Sequence, residues 1–278
     1  MSFAQAIARG EFPVALEITP PRSEKPAVLL RRARLLDRCT MAVNVIHRPD
    51  RQSSLDAALA LALEGIDPVW HLTAAGQTEA GLRADIERAR AGGVRHVLCL
   101  RGDHAGDEQT PAITVRELVA LVRECAPGML VAAALDQYHQ GERSRRALVG
   151  KLRAGATCVW TQPVFDLASL AAAAELVKRE GNGAHLVAMA MPLLTLEGLE
   201  RISARLQVPV PETLRRRIAA GEDEAWRAFD ETLEALAEAR LVDGLAIMTY
   251  KADPPPGTAE RIVEGLRRAG IVDIEGAA

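Results

Sequence analysis

A carboxylate inside an apolar run is the first feature of this chain that packing alone does not explain. Glu17 lies in Val14-Ala15-Leu16-Glu17-Ile18, where strand alternation puts it on one face with Ala15 and leaves Val14, Leu16 and Ile18 on the other. A charge so placed costs free energy unless it is paired or used. It could be ion-paired to Arg22 or Arg101, or it could serve as a functional acid. His71, in Val69-Trp70-His71-Leu72-Thr73, offers either a hydrogen-bonded core imidazole or a group facing a ligand. In Leu98-Cys99-Leu100-Arg101-Gly102-Asp103 an apolar run ends on a glycine between opposite charges, and glycine lets a backbone approach a ligand closely. Arg101 and Asp103 could also simply pair with each other. Gln162, in Thr161-Gln162-Pro163-Val164-Phe165-Asp166, carries an amide able to read a ring with donors and acceptors, unless it is a loop residue before a helix capped by Asp166. Tyr138-His139 and Met191-Pro192 are weaker signals of the same kind.

These residues need a frame, and the chain supplies a repeating one. Short apolar runs are each followed by a stretch of helical spacing. The strands expected are Val14–Ile18, Met41–Ile46, Pro68–Leu72, His96–Leu100, Leu130–Ala134, Thr157–Thr161, Leu186–Met191 and Leu245–Thr249. Helices are expected over Pro26–Arg38, Ser53–Leu63, Glu79–Ala91, Val115–Glu124, Glu142–Ala154, Leu167–Arg179, Leu196–Leu206, Glu222–Ala239 and Ala259–Ala269, with a short extra one around Pro211–Ala220. Gly65, Gly92-Gly93, Gly155 and Gly181 are read as helix ends that need a left-handed residue. Strict alternation implies parallel strands, and closing them into a ring removes both sheet edges. The fold class expected is α/β, a single (β/α)8 TIM barrel domain over residues 1–278. In such a barrel Glu17, His71, Asp103 and Gln162 stand at or near the carboxyl ends of strands, where barrel chemistry is done, whereas His96 and His185 precede their strands on the stability face.

Composition narrows the partners. A net charge of −3 gives no basic field for a phosphate backbone or an anionic membrane, so neither nucleic acid nor a membrane is expected. The amino end lacks the apolar run of a signal peptide and no stretch is long enough to span a bilayer, which makes the cytoplasm the expected location. Cys39, Cys99, Cys125 and Cys158 form no C-x-x-C pair and read as buried thiols. Glu17, His71, Asp103, His104 and His139 could alternatively assemble a divalent metal for hydrolysis, but they follow no ligand spacing and no metal is assigned.

Together these segments resemble the methylenetetrahydrofolate reductase family. Leu16-Glu17-Ile18-Thr19-Pro20-Pro21-Arg22 resembles its first-strand motif, His71-Leu72-Thr73 its third, and Leu100-Arg101-Gly102-Asp103 its fourth, the most specific of the set. Lys151 before Ala154-Gly155-Ala156, with Thr161-Gln162 and Phe165-Asp166, resembles the sixth unit, and Met191-Pro192 the end of the seventh. The resemblance implies reduction of 5,10-methylenetetrahydrofolate to 5-methyltetrahydrofolate, within one-carbon metabolism and methionine biosynthesis, with FAD and NADH or NADPH as cofactors. It implies Glu17 and Asp103 as catalytic groups, and Gln162, Asp103 and Leu196 as substrate contacts. It implies His71, Arg101, Gly102, Asp103, Tyr138, His139 and Lys151 as flavin contacts. Partners would be the folate, the nicotinamide and a further copy or subunit.

The chain also departs from the family. Val43-Asn44-Val45-Ile46 lacks the polar threonine that ends the family's second strand, so one flavin hydrogen bond is missing. Leu135-Asp136-Gln137-Tyr138-His139-Gln140 replaces a tyrosine and histidine-proline loop, Ser144 stands where an acid is usual, and Thr114 where an aromatic often stands. Either a remodelled pocket holds the flavin, or nicotinamide reduces the folate directly. Aromatic residues are only 3% of the chain, which leaves few rings to stack on a flavin. A folate-binding accessory protein without turnover is the non-enzymatic alternative.

Overall fold

Eight apolar segments, each too short and too β-branched or alanine-rich to stand alone, pair in order into a closed parallel barrel in the computed structural model, β1-β2-β3-β4-β5-β6-β7-β8 with β1 returning to β8. Residues 2–102 and 113–273 are described. The strands are β1 Val14–Ile18, β2 Ala42–Val45, β3 Pro68–Thr73, β4 His96–Leu100, β5 Leu130–Ala134, β6 Cys158–Pro163, β7 His185–Ala190 and β8 Gly244–Met248. The helices are α1 Phe3–Ala8, α2 Pro26–Ala33, α3 Ser54–Leu63, α4 Glu79–Ala91, α5 Val115–Cys125 and α6 Glu142–Arg153. They continue with α7 Leu167–Glu180, α8 Leu196–Leu206, α9 Glu212–Ala219, α10 Glu222–Ala239 and α11 Thr258–Arg268. The expected (β/α)8 barrel is therefore present, including the short helix after Pro211.

Strand alternation divides the apolar residues into two layers. Val14, Leu16, Val43, Val45, Trp70, Leu72, Val97 and Cys99 pack outward under the helices. Ala15, Ala42, Val69, Leu98, Ala132, Cys158, Trp160, Val187 and Ala246 fill the lumen. So many alanines would leave a hollow, and α1 fills it. Phe3 and Ile7 enter from the amino-terminal end of the strands, Phe3 stacking on Trp160 at 5.7 Å between centroids and meeting His96 edge-on. Ser2 and Gln5 cap this helix reciprocally. At the same end His96 Nε2 lies 3.1 Å from Asp67, which agrees with its reading as a stability residue, and His185 lies 3.7 Å from Asp243.

Several boundaries differ from expectation for physical reasons. α1 was not expected at all, because one short amphipathic turn carries no long periodicity. The regular helix α2 stops at Ala33 instead of Arg38, giving way to turns through Cys39 in which Arg38 takes φ 76°. β6 begins one residue later than expected and runs on to Pro163, with a register shift against β7 between Trp160 and Pro163. β7 starts at His185. Gly65, Gly93 and Gly155 do take positive φ, but Gly92 and Gly181 do not: after α7 the left-handed residues are Asn182 and Gly183. Cys39, Cys99 and Cys158 are buried free thiols, while Cys125 is half-buried.

Candidate active site at the carboxyl end of the barrel

Two residues beyond the interior layer, the lumen turns polar. Glu17 follows Ala15, Asn44 follows Ala42 and His71 follows Val69, so each points to the lumen one step nearer the strand ends. Glu17 is level with Asn44 on one side and Met248 on the other. All three polar side chains are buried, Glu17 at 8% exposure. Among the described residues Glu17 makes no salt bridge; Arg22 is exposed on the surface. Burial pushes its carboxyl up to about 7, against weaker opposing pulls from the Asn44 amide and the Arg48 charge. Burial, with the nearby charge of His47, pushes His71 down to about 3, so the imidazole is neutral.

The second strand, read as one polar group short, supplies another in Asn44. Neither its Nδ2 nor its Oδ1 closes a hydrogen bond with a protein group, and His71 Nε2 is likewise buried without a partner. Buried polar atoms left without protein partners at the carboxyl end of a barrel mark it as a candidate ligand site. Sequence reasoning noticed Asn44 only as a departure; its spacing of two from Ala42, in a strand adjacent to Glu17, was the available signal.

Gly102 lies two residues beyond the end of β4 with φ 98°, and a Cβ there would lie 2.9 Å from the Ala75 Cβ. Gly102→Ala is therefore expected to destabilise the protein by about 1–3 kcal/mol, read from urea unfolding, because both the backbone conformation and the space require glycine. Arg101 is exposed on the surface. Asp103 and His104 lie outside the described residues.

Across the mouth, the residues assigned to the flavin arm are occupied by the protein itself. The Tyr138 hydroxyl donates to the Pro163 carbonyl at 2.8 Å and accepts from the Phe165 N–H at 2.7 Å, and burial raises it to about 12. His139 Nδ1 lies 2.7 Å from Asp136 and its ring is largely exposed. Lys151 Nζ donates to the Ala134 carbonyl at 2.5 Å, and burial lowers its pKa. Leu196 is exposed at the first turn of α8, capped by Thr195. Gln162 is half-buried, and Asp166 caps α7 through the N–H groups of Ala168 and Ser169. The described residues thus fit a ring at the carboxyl end of the barrel better than a whole flavin dinucleotide. Among the described residues no three His, Cys, Asp or Glu side chains gather closely enough to hold a metal, and no helix is long and apolar enough to cross a membrane.

A family model for methylenetetrahydrofolate reductase matches residues 2–251. The chain belongs to the methylenetetrahydrofolate reductase family. That is a family of oxidoreductases, and its members here are distant. The 5,10-methylenetetrahydrofolate reductase of Escherichia coli strain K12 is 24% identical over 231 residues, 79% of this chain and 78% of that protein. The enzyme of the same name from Pectobacterium carotovorum is 26% identical over 151 residues, so the chain matches about half of that relative, 51% of its length. Among solved structures, a Clostridium thermocellum protein described as uncharacterized and binding two copies of 5-methyl-5,6,7,8-tetrahydrofolic acid superposes with a TM-score of 0.68. It is 13% identical, with 96% of each chain covered. A Mycobacterium tuberculosis tryptophan synthase superposes with a TM-score of 0.58 at 11% identity over 98% of this chain and 97% of that one. At those identities the structural likeness establishes the barrel alone.

Proposed function

We propose that this reductase-family barrel converts 5,10-methylenetetrahydrofolate to 5-methyltetrahydrofolate, with NADH or NADPH as the hydride source and Glu17 as the proton donor. The observation that carries the reading is a lumen-facing carboxyl that is buried, without a salt bridge among the described residues and raised to about 7. A carboxyl in that state still holds its proton in about half of the molecules at pH 7, where an ordinary glutamate holds almost none, and so can serve as a general acid. Its proton passes to the folate nitrogen that leaves the methylene carbon as the five-membered ring opens; the resulting iminium carbon then accepts the hydride and becomes the methyl group. Burial helps twice, because it holds the proton on Glu17 before the step and keeps water from the iminium after it.

The other residues bind and orient. His71 faces the ring as an uncharged imidazole that does not compete with Glu17 for its proton, while Asn44, with no exposed surface, orients the Glu17 carboxyl beside it. Gln162 and Asp103 complete folate recognition in this reading, while Arg101 reaches the exposed rim. The folate-binding ability described for the Clostridium thermocellum barrel is in keeping with a folate ligand here.

The test is anaerobic mixing of the purified protein with methylenetetrahydrofolate and NADH or NADPH, with and without added FAD, scored by methyltetrahydrofolate formed. Product in either flavin arm supports the reading, and comparison of the two arms assigns the flavin. Absence of product in every arm overturns it, and folate binding without product would mark an accessory protein. The absorbance of the fresh protein at about 450 nm reports bound flavin independently of turnover.

A further inference from the structure

The backbone of Gln162 is held in an unusual way. The last main-chain rung between β5 and β6 runs from the Leu135 N–H to the Trp160 carbonyl at 2.8 Å. On the opposite side the β6–β7 register shifts after Trp160 and resumes at Pro163. Gln162 falls in this gap, where a bulge leaves a residue without ladder partners. Side chains fill the vacancy. Gln137 Oε1 accepts from the Gln162 N–H at 3.0 Å, and Gln137 Nε2 donates to the Gln162 carbonyl at 3.0 Å and to the Pro163 carbonyl at 3.3 Å. The Thr161 hydroxyl donates to the same Gln162 carbonyl at 2.8 Å while accepting from the Met189 N–H.

Gln137 is fully buried, so it is shielded from anything bound at the mouth. Its own loop is pinned as well: Gln140 Nε2 donates to the Gln137 and Ser169 carbonyls, each at 2.8 Å, and Tyr138 bridges Pro163 and Phe165. We propose that Gln137 is a positioning residue for Gln162, its amide standing in for the missing strand partner and so fixing where the Gln162 side chain meets the folate. The inference rests on Gln162 being a folate contact. It goes further in making affinity for the folate depend on a residue that cannot touch it, and in giving the remodelled loop after β5 a role in substrate recognition.

Gln137→Met keeps the length and removes all three bonds, leaving the buried Gln162 N–H without a partner while the Gln162 and Pro163 carbonyls keep only those from the Thr161 and Tyr138 hydroxyls. It is expected to raise KM for methylenetetrahydrofolate, and Kd for methyltetrahydrofolate, about 10-fold or more, with kcat within about 3-fold of the parent. Gln137→Glu retains the bond to the Gln162 N–H and should fall between; it also carries the test if the methionine variant does not fold. The decisive measurement is a double-mutant cycle with Gln162→Ala. Non-additive losses, with Gln162→Ala costing little once Gln137 is changed, support positioning. Additive losses overturn it, as does a Gln137→Met variant that binds folate normally while Gln162→Ala binds it weakly. Should Gln162→Ala alone leave both constants unchanged, the folate contact itself is wrong and the positioning role falls with it.

Discussion

Glu17→Gln is expected to lower turnover by about 10²–10⁴-fold and, in the same protein, to raise stability in alkaline buffer. The two effects have one cause. The amide cannot give up a proton, so the ring-opening step loses its acid while the shape of the lumen is kept. The stability change follows from linkage: the folded carboxyl is raised to about 7 whereas the unfolded one titrates near 4.5. Below pH 4.5 both states hold the proton and nothing is gained by the substitution. Between 4.5 and about 7 the unfolded chain ionises first, so the parent loses stability as pH rises. Above about 7 the full penalty is present, on the order of 3 kcal/mol, and the glutamine variant escapes it. Melting temperatures of the two proteins should therefore coincide near pH 4 and separate by pH 8. The parent's kcat/KM should fall as pH rises through about 7, following one ionisation. A variant that kept its turnover, or that melted below the parent at pH 8, would remove Glu17 from the role of buried acid.

Phe3→Ala should cost about 3–5 kcal/mol without altering the polar mouth. Phe3 is completely buried, stacks on Trp160 and occupies space in a lumen otherwise lined with alanines, valines, Leu98 and Cys158. Eight parallel strands leave the surrounding wall little freedom to collapse inward, so the cavity persists and the cost stays near the upper part of that range. Urea unfolding gives the magnitude, and the indole emission of Trp160 should shift as its stacking partner is lost. A cost below about 1 kcal/mol would mean that α1 is only loosely seated.

The frame was legible because its signals are long-range and repeated. Alternation of apolar runs with helical spacing requires parallel strands, and each strand from β1 to β8 lies within a residue or two of its expected place. The acid was legible for a local reason: a carboxylate two residues from Ala15 on a strand whose other face is Val14, Leu16 and Ile18 has nowhere to go but the lumen. What was hidden depends on partners distant in sequence. Gln137 is one polar residue in a polar loop until Gln162, on another strand, is placed beside it. Tyr138 and Lys151 carry the residue types that the family resemblance attaches to a flavin, yet their hydrogen bonds to Pro163, Phe165 and Ala134 become visible only when β5, β6 and α6 are packed together. Likewise α1 has too few residues to show a period, and its reason for folding lies in the alanine-lined hollow it meets.

In the proposed reaction that seated helix also bears on how the acid is reset. Phe3, Ile7 and Trp160 fill the lumen beneath Glu17, so in the proposed reaction its proton would be replaced from the carboxyl-end side, the side from which the folate would enter. Under that proposal a bound product would stand between the spent carboxylate and solvent, reprotonation would follow product release, and loosening the stopper would uncouple those two events.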